Sequence, residues 1–174
     1  MKSKENLVFI GMMGSGKTSI GSLVAKKLKL NFIDIDKEIE KELGLTISKI
    51  FETKGENYFR KYEEKITLKI LKVNSIVVSL GGGAFVNKII RKEILKNHIS
   101  FWLNWNNEVL LNRIKNSKKR PIAFNSTENE LIDLIKKRSN IYSKALYEIK
   151  CDKVSKSEIV KKVLKRYETH QVKN

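Results

Sequence analysis

The stretch Gly11-Met12-Met13-Gly14-Ser15-Gly16-Lys17-Thr18 constrains this chain more than any other. It follows the apolar run Leu7-Val8-Phe9-Ile10, and Ile20, Val24 and Leu28 follow it at helical spacing. The pattern Gly-x-x-x-x-Gly-Lys-Thr in that setting is a P-loop. Its glycines let consecutive N–H groups converge on a phosphate at a helix N-terminus, where the dipole also favours negative charge. Lys17 then adds a charge between the β- and γ-phosphates, and the Thr18 hydroxyl is placed to ligate Mg²⁺. The motif leaves the phosphoryl acceptor open.

Strand and helix patterns alternate along the rest of the chain. Strands are expected near 7–10, 32–35, 76–80, 99–104 and 147–151. Helices are expected near 17–29, 37–43, 47–53, 56–72, 87–97, 106–116, 127–145 and 157–168. Such alternation implies an α/β fold: a five-stranded parallel sheet covered on both faces, with ligands at the carboxyl ends of the strands. With 174 residues and 41% hydrophobic content, one domain spanning residues 1–174 is expected. Analogy with small P-loop kinases suggests the strand order 2-3-1-4-5.

Composition excludes several classes. A single cysteine, Cys151, rules out a disulfide framework and fits a reducing cytosol. The basic start Met1-Lys2-Ser3-Lys4 superficially resembles an export signal, but the apolar run after it is short and ends in the P-loop. No segment approaches the roughly 20 apolar residues of a membrane helix. A cytoplasmic protein without a membrane partner is expected. The formal net charge of +17 reads either as attraction to nucleic acid or as a lysine-coated solvated surface. The even spread of lysines favours the second. Only six of the 36 basic residues are arginines: Arg60, Arg91, Arg113, Arg120, Arg138 and Arg166. Where a chain defaults to lysine, an arginine points to a need for the planar fork.

Several residues gather at the expected carboxyl ends. In Phe32-Ile33-Asp34-Ile35-Asp36, period two puts both aspartates on one side, facing the P-loop magnesium and the acceptor hydroxyl. Asp36 is alternatively the N-cap of the next helix. Arg60 and Glu63 are i,i+3 neighbours, an ordinary surface pair on their own. Ser79 is the one polar residue of the third strand and is expected either to hold a water on the metal or to be a satisfied buried hydroxyl. Gly81, Gly82 and Gly83 then allow a ligand to lie against bare backbone. The polar stretch 116–127 reads either as a lid, with Arg120 presented by Pro121, or as a solvated basic loop. Arg138 falls on the buried stripe of Leu131, Leu134, Ile135, Tyr142 and Ala145, so it must find an anion, either Glu63 or a ligand carboxylate.

Taken together, the P-loop, Asp34-x-Asp36, Phe59-Arg60-x-x-Glu63, Gly81-Gly82-Gly83, Arg120-Pro121 and Arg138-x-x-x-Tyr142 resemble the shikimate kinase family along nearly the whole chain. The resemblance implies ATP-dependent phosphorylation of the 3-hydroxyl of shikimate, in aromatic amino-acid biosynthesis. It assigns Asp36, Arg60, Gly82 and Arg138 to shikimate, Lys17 and Arg120 to the phosphates, Thr18 to Mg²⁺ and Asp34 to the metal through water, with Arg113 flanking the adenine. Gly14, Ser15, Gly16 and Ser19 complete the expected ATP site. Gly81, Gly83 and Glu63 complete the shikimate site, which lies with the helices of residues 36–72. Asp36, Lys17 and Arg120 are the expected catalytic residues. One Mg²⁺ per subunit and a monomer are expected. Two departures from the family pattern stand out: Ile122-Ala123 follows Arg120-Pro121 in place of two leucines, and for the basic residue that the family often has by the adenine near the C-terminus both Lys153 and Lys156 are candidates. A gluconate kinase shares the P-loop and topology but is not expected to share the Asp34, Asp36, Arg60 and Arg138 set; acceptor screening separates the two. A nucleic-acid-binding module would use the charge, and a gel shift at physiological salt tests it.

Overall fold

The computed structural model describes residues 5–115 and 126–173. Five parallel strands form one sheet: β1 (Leu7–Ile10), β2 (Asn31–Asp34), β3 (Ile76–Ser79), β4 (Ile99–Asn104) and β5 (Tyr147–Lys150), in the order β2-β3-β1-β4-β5. The expected order is therefore observed. Register brings Phe9 of β1 beside Ser79 of β3 and Phe101 of β4, and Asp34 of β2 beside Ser79. The central strands are apolar on both faces, as a sheet covered on both sides requires.

Alternate residues of the strands feed two cores. Val8, Ile10 and Val78 pack with Ile35, Ile39, Phe59, Phe85 and Tyr142 on one face. Leu7, Phe9, Val77 and Phe101 pack on the other with Ile20, Val24, Val160 and Val163. The second face is covered by α1 (Lys17–Leu28) and the C-terminal α7 (Lys156–Lys173), the first by α2 (Ile35–Leu43), α3 (Ile47–Leu71), α4 (Lys88–Asn97) and α6 (Glu128–Tyr142). Between β4 and α6 comes α5 (Asn107–Lys115).

Helix boundaries follow local chemistry. The N-cap Thr46 Oγ1 accepts from Lys49 N–H, and Thr127 with Glu130 forms a reciprocal capping box on α6. The two expected helices 47–53 and 56–72 run together as α3, kinked at Gly55, whose φ of 79° and ψ of 166° are non-helical. The helix expected over 127–145 ends earlier, at Tyr142, so Ala145 packs on the core from outside it. A short 3₁₀ turn, Ala84–Val86, follows the glycine run and had no periodic signal to announce it.

Asn6 ties the amino ends of the sheet. Buried just before β1, its Nδ2 donates to Leu71 O at 3.1 Å and Val73 O at 2.6 Å, and its Oδ1 accepts from Ile76 N–H at 3.1 Å. Its carbonyl accepts from Ile99 N–H at 2.9 Å. Truncation would strand two buried backbone groups, Leu71 O and Ile76 N–H, each costing about 1–3 kcal/mol, and would free the half-buried Val73 O. Asn6→Ala is therefore expected to lower unfolding free energy by about 3 kcal/mol or more in urea titrations, while the KM values of a protein still folded under assay conditions stay near those of the parent.

Candidate active site

Every strand that carries an expected site residue ends on the same side of the sheet. From β1 the chain enters the P-loop, where Gly14 and Gly16 adopt φ of 81° and 87°, a left-handed region open to glycine at little steric cost. Gly16 occupies the N-cap of α1 and supplies no side-chain cap, so the first N–H groups of the helix remain for a ligand. Lys17 is buried, with its Nζ donating to Gly11 O at 2.8 Å and Met12 O at 3.0 Å.

Thr18 Oγ1 donates to Asp34 Oδ2 at 2.6 Å, and Ser79 lies in register with Asp34. Hydroxyl and carboxylate oxygens are the hard donors that Mg²⁺ prefers, so this set fits the ion. Asp34 has a second role that corrects the sequence reading. The β-strand stops at Asp34, whose Oδ1 caps α2 by accepting from Lys37 N–H at 3.3 Å. Asp36, the residue considered for that cap, lies instead in the first turn of the helix. The two aspartates are brought together by a strand-to-helix corner and not by strand alternation.

The glycine turn after β3 is the floor of the acceptor side. A β-carbon at Gly81 would collide with Glu63 Oε1 and lie 2.8 Å from Asp36 Oδ1; one at Gly83 would lie 2.5 Å from Arg60 Nη1. At Gly82 it would lie 3.2 Å from Met13 N and 3.6 Å from Arg138 Nη1. Gly81 and Gly83 are needed for space, since two carboxylates and a guanidinium group occupy the room of their side chains, whereas a β-carbon at Gly82 would press on Met13 N and merely touch Arg138. Tyr142 donates its hydroxyl to Gly82 O, and Arg91 Nη1 donates to Phe85 O and Val86 O at 3.0 and 2.8 Å, holding the turn from behind. Burial pushes the Tyr142 hydroxyl up to about 12, which keeps it a donor.

The Arg60–Glu63 pair is not an ordinary surface pair. Glu63 is 2% exposed, and its Oε2 accepts from Arg60 Nη1 at 2.8 Å, while Oε1 has no hydrogen-bond partner among the described residues. Arg60 is held further by Glu56 Oε1, 3.1 Å from Nε and 3.0 Å from Nη2. Arg138 is 8% exposed, and among the described residues no carboxylate lies within 4.0 Å of it; its guanidinium meets Met12 Sδ at 3.8 Å. Glu63, one of the two anions considered for Arg138, is thus committed to Arg60. A buried guanidinium lacking a carboxylate can receive one from a ligand.

Burial raises the Asp36 carboxyl to about 7, with Glu63 and Asp34 adding repulsion and Lys17 opposing it. Burial also pushes Glu63 up, against the pull of Arg60 and Arg138. A carboxyl near 7 in such a cleft can exchange a proton at neutral pH.

On the far side of the P-loop, a cavity of about 400 Å³ is bordered by Gly14, Ser15, Ser19, Trp105, Arg113 and Lys156. Arg113 reaches Gly14 O at 3.1 Å and lies 3.8 Å over the Trp105 ring. Of the two lysines expected near the base, Lys156 borders this cavity. Sequence reasoning passed over Trp105, whose only signal was an aromatic ring just beyond a strand's carboxyl end. Arg120 and most of the expected lid lie outside the described residues.

The sequence model of the family described as shikimate kinase matches residues 13–168. A shikimate kinase of Sulfurihydrogenibium sp. is 39% identical over 160 residues, covering 92% of this chain and 96% of its own. A solved shikimate kinase from Acinetobacter baumannii, in complex with shikimate, superposes with a TM-score of 0.89 at 31% identity, over 95% of this chain and 94% of that one. A gluconokinase from Sinorhizobium meliloti 1021 superposes with a TM-score of 0.55 at 15% identity, over 92% of this chain and 90% of that one, a likeness of fold alone.

The crowding of carboxylates predicts a stability cost. In the folded state Asp36 titrates near 7, above its ordinary 3.8, so ionising it opposes folding. That cost is absent below about pH 4, grows as pH rises to 7 and is constant above. Asp36→Asn removes it. Thermal melts should therefore show the variant several degrees more stable than the parent at pH 8, with the gap closing by pH 4.

Proposed function

The chain belongs to the shikimate kinase family, and from that membership we propose that this site transfers the γ-phosphoryl group of ATP to the 3-hydroxyl of shikimate. The observation that carries the reading is the buried Arg138, short of a carboxylate, beside Gly82, with Asp36 against Gly81 and Arg60 against Gly83 of the same turn. Shikimate brings what these groups lack: a carboxylate for the forks of Arg138 and Arg60, and hydroxyls for Asp36 and the backbone of Gly81, Gly82 and Gly83. Glu63 holds Arg60 in position from below.

The nucleotide occupies the other half. Its phosphates lie on the N–H groups of Gly14, Ser15, Gly16, Lys17, Thr18 and Ser19, and its adenine beside Arg113. Thr18 would hold Mg²⁺ directly, with Asp34 and Ser79 acting through water, and the ion would supply neutralisation of charge on the β- and γ-phosphates. Arg120 serves the phosphates as well, a role that rests on its motif with Pro121.

Transfer is then mostly positioning. Asp36 takes the proton of the 3-hydroxyl as that oxygen bonds to the γ-phosphorus, and the bond from phosphorus to the β–γ bridging oxygen breaks to release ADP. Lys17 follows the charge that gathers on the bridging oxygen. We propose further that the chain acts as a cytoplasmic monomer, with one Mg²⁺ and no nucleic-acid partner. No helix among the described residues is long and apolar enough to cross a membrane.

A coupled ADP assay tests the acceptor. Mg²⁺-dependent ADP formation should require shikimate and be absent with gluconate; equal release with shikimate and with buffer would overturn the reading. In the same assay Arg138→Lys keeps the charge but loses the fork, so KM for shikimate should rise roughly 10-fold with KM for ATP nearly constant. A lowered melting temperature with an unchanged shikimate KM would return Arg138 to a structural role.

The stability gained by Asp36→Asn should be matched by a loss of turnover. Without a proton acceptor kcat is expected to fall on the order of 10²-fold or more. Near-normal kcat in that variant would remove Asp36 from the chemistry.

A further inference from the structure

Trp105 stands one residue beyond β4, across the P-loop from the acceptor groups. Its Nε1 donates to Ser15 O at 2.8 Å, spanning 90 residues of sequence to fix one P-loop carbonyl. A trans peptide points its N–H opposite to its C=O. Anchoring Ser15 O to the indole therefore aims the Gly16 N–H away from Trp105. The ring has a second contact. The Arg113 guanidinium lies 3.8 Å over its centroid while Nη1 donates to Gly14 O at 3.1 Å. One side chain thus secures the Ser15 carbonyl directly and the arginine on Gly14 through its face. Both Trp105 and Arg113 border the 400 Å³ cavity beside the P-loop.

We propose that Trp105 is a positioning residue for the nucleotide: it locks the Ser15 peptide of the phosphate cradle and holds Arg113 flat as a preformed wall for the purine base. An exposed arginine loses rotamer freedom when a base stacks on it. Stacking on the indole removes that freedom before ATP arrives. The inference rests on the reading that this cavity takes the base of ATP.

The test separates the indole's two contacts. Trp105→Phe keeps a ring under Arg113 and removes the donor to Ser15; Trp105→Leu removes both. KM for ATP should rise about 5-fold in the first and about 15-fold or more in the second, the scales of one hydrogen bond and of that bond plus a cation–π contact. KM for shikimate should move less than about 2-fold in either, a split that general loosening of the fold would not produce. Because part of the effect passes through Arg113, Trp105→Leu should cost only about 5-fold when introduced into Arg113→Ala. If Arg113→Ala raises KM for ATP while both Trp105 variants leave it unchanged, the role of Trp105 is overturned and the nucleotide site stands. If Arg113→Ala and both Trp105 variants all leave it unchanged, the cavity does not take the base and the underlying reading falls with the proposal. Equal rises in both KM values, accompanied by a lower melting temperature, overturn the proposal in favour of a purely structural tryptophan.

Discussion

Three consecutive residues without a β-carbon, 81 to 83, are the constraint on which the acceptor half of this molecule depends. The space that side chains would occupy there is taken by Glu63, Asp36 and Arg60, with Arg138 at its margin. None of these four groups shares a sequence neighbourhood with the turn. They arrive from α2, α3 and α6, and only a bare backbone at the end of a central strand lets all of them approach together. The turn in turn is held by groups that point away from the cleft: Tyr142 on Gly82 O, and Arg91 on the 3₁₀ turn just after it. A side chain at position 81 would displace the two carboxylates before it affected any core residue.

That convergence works against the stability of the fold. Asp36, Glu63 and Asp34 repel one another in a partly desolvated corner, and Arg60 compensates Glu63 only. Arg138 is buried with no carboxylate within 4.0 Å among the described residues. A charge-balanced core would have joined Arg138 to a carboxylate and kept Asp36 well below neutrality. Such a core would be firmer, and it would have no receptor for a carboxylate and no group ready to exchange a proton near pH 7. The remainder of the sheet supplies the compensating stability, through two apolar cores and the Asn6 clamp at the opposite end of the strands.

The elements around the P-loop were legible because strand and helix periods alternate so cleanly and because six of the nine glycines fall in two loops; the strand order came from analogy with small P-loop kinases and not from periodicity. Asp36, Arg60, Arg138 and the glycine run were legible as a set, and the structure brings them to one cleft. What sequence periodicity could not show was how they meet. Read as a strand, 32–36 placed both aspartates on one side. The chain instead turns at Asp34, because that carboxylate satisfies the orphan N–H of Lys37, and a helix carries Asp36 inward. Glu63 looked like a surface partner of Arg60 because a pair at i,i+3 says nothing about which face is covered, and here α2 and the glycine turn cover it. Trp105 and Asn6 act across 90 and about 70 residues of sequence, a separation that no local window spans.

The scarcity of arginine turns out to be informative residue by residue. Arg60 forks between Glu56 and Glu63, Arg91 bridges two carbonyls, Arg113 lies flat on an indole while reaching Gly14 O, and Arg138 stands beside Gly82 at the P-loop. Arg60 uses a fork and Arg113 a plane, which an ammonium on a flexible stem does not supply; Arg91 reaches its two carbonyls from one nitrogen, as Lys17 does. Lysine, by contrast, serves where a point charge is wanted, as Lys17 does within the P-loop, or where solubility is, as along α4 and α7. The basic residues therefore divide by chemistry: lysines spread along the chain keep its surface solvated, and a few arginines hold the planar contacts of the site.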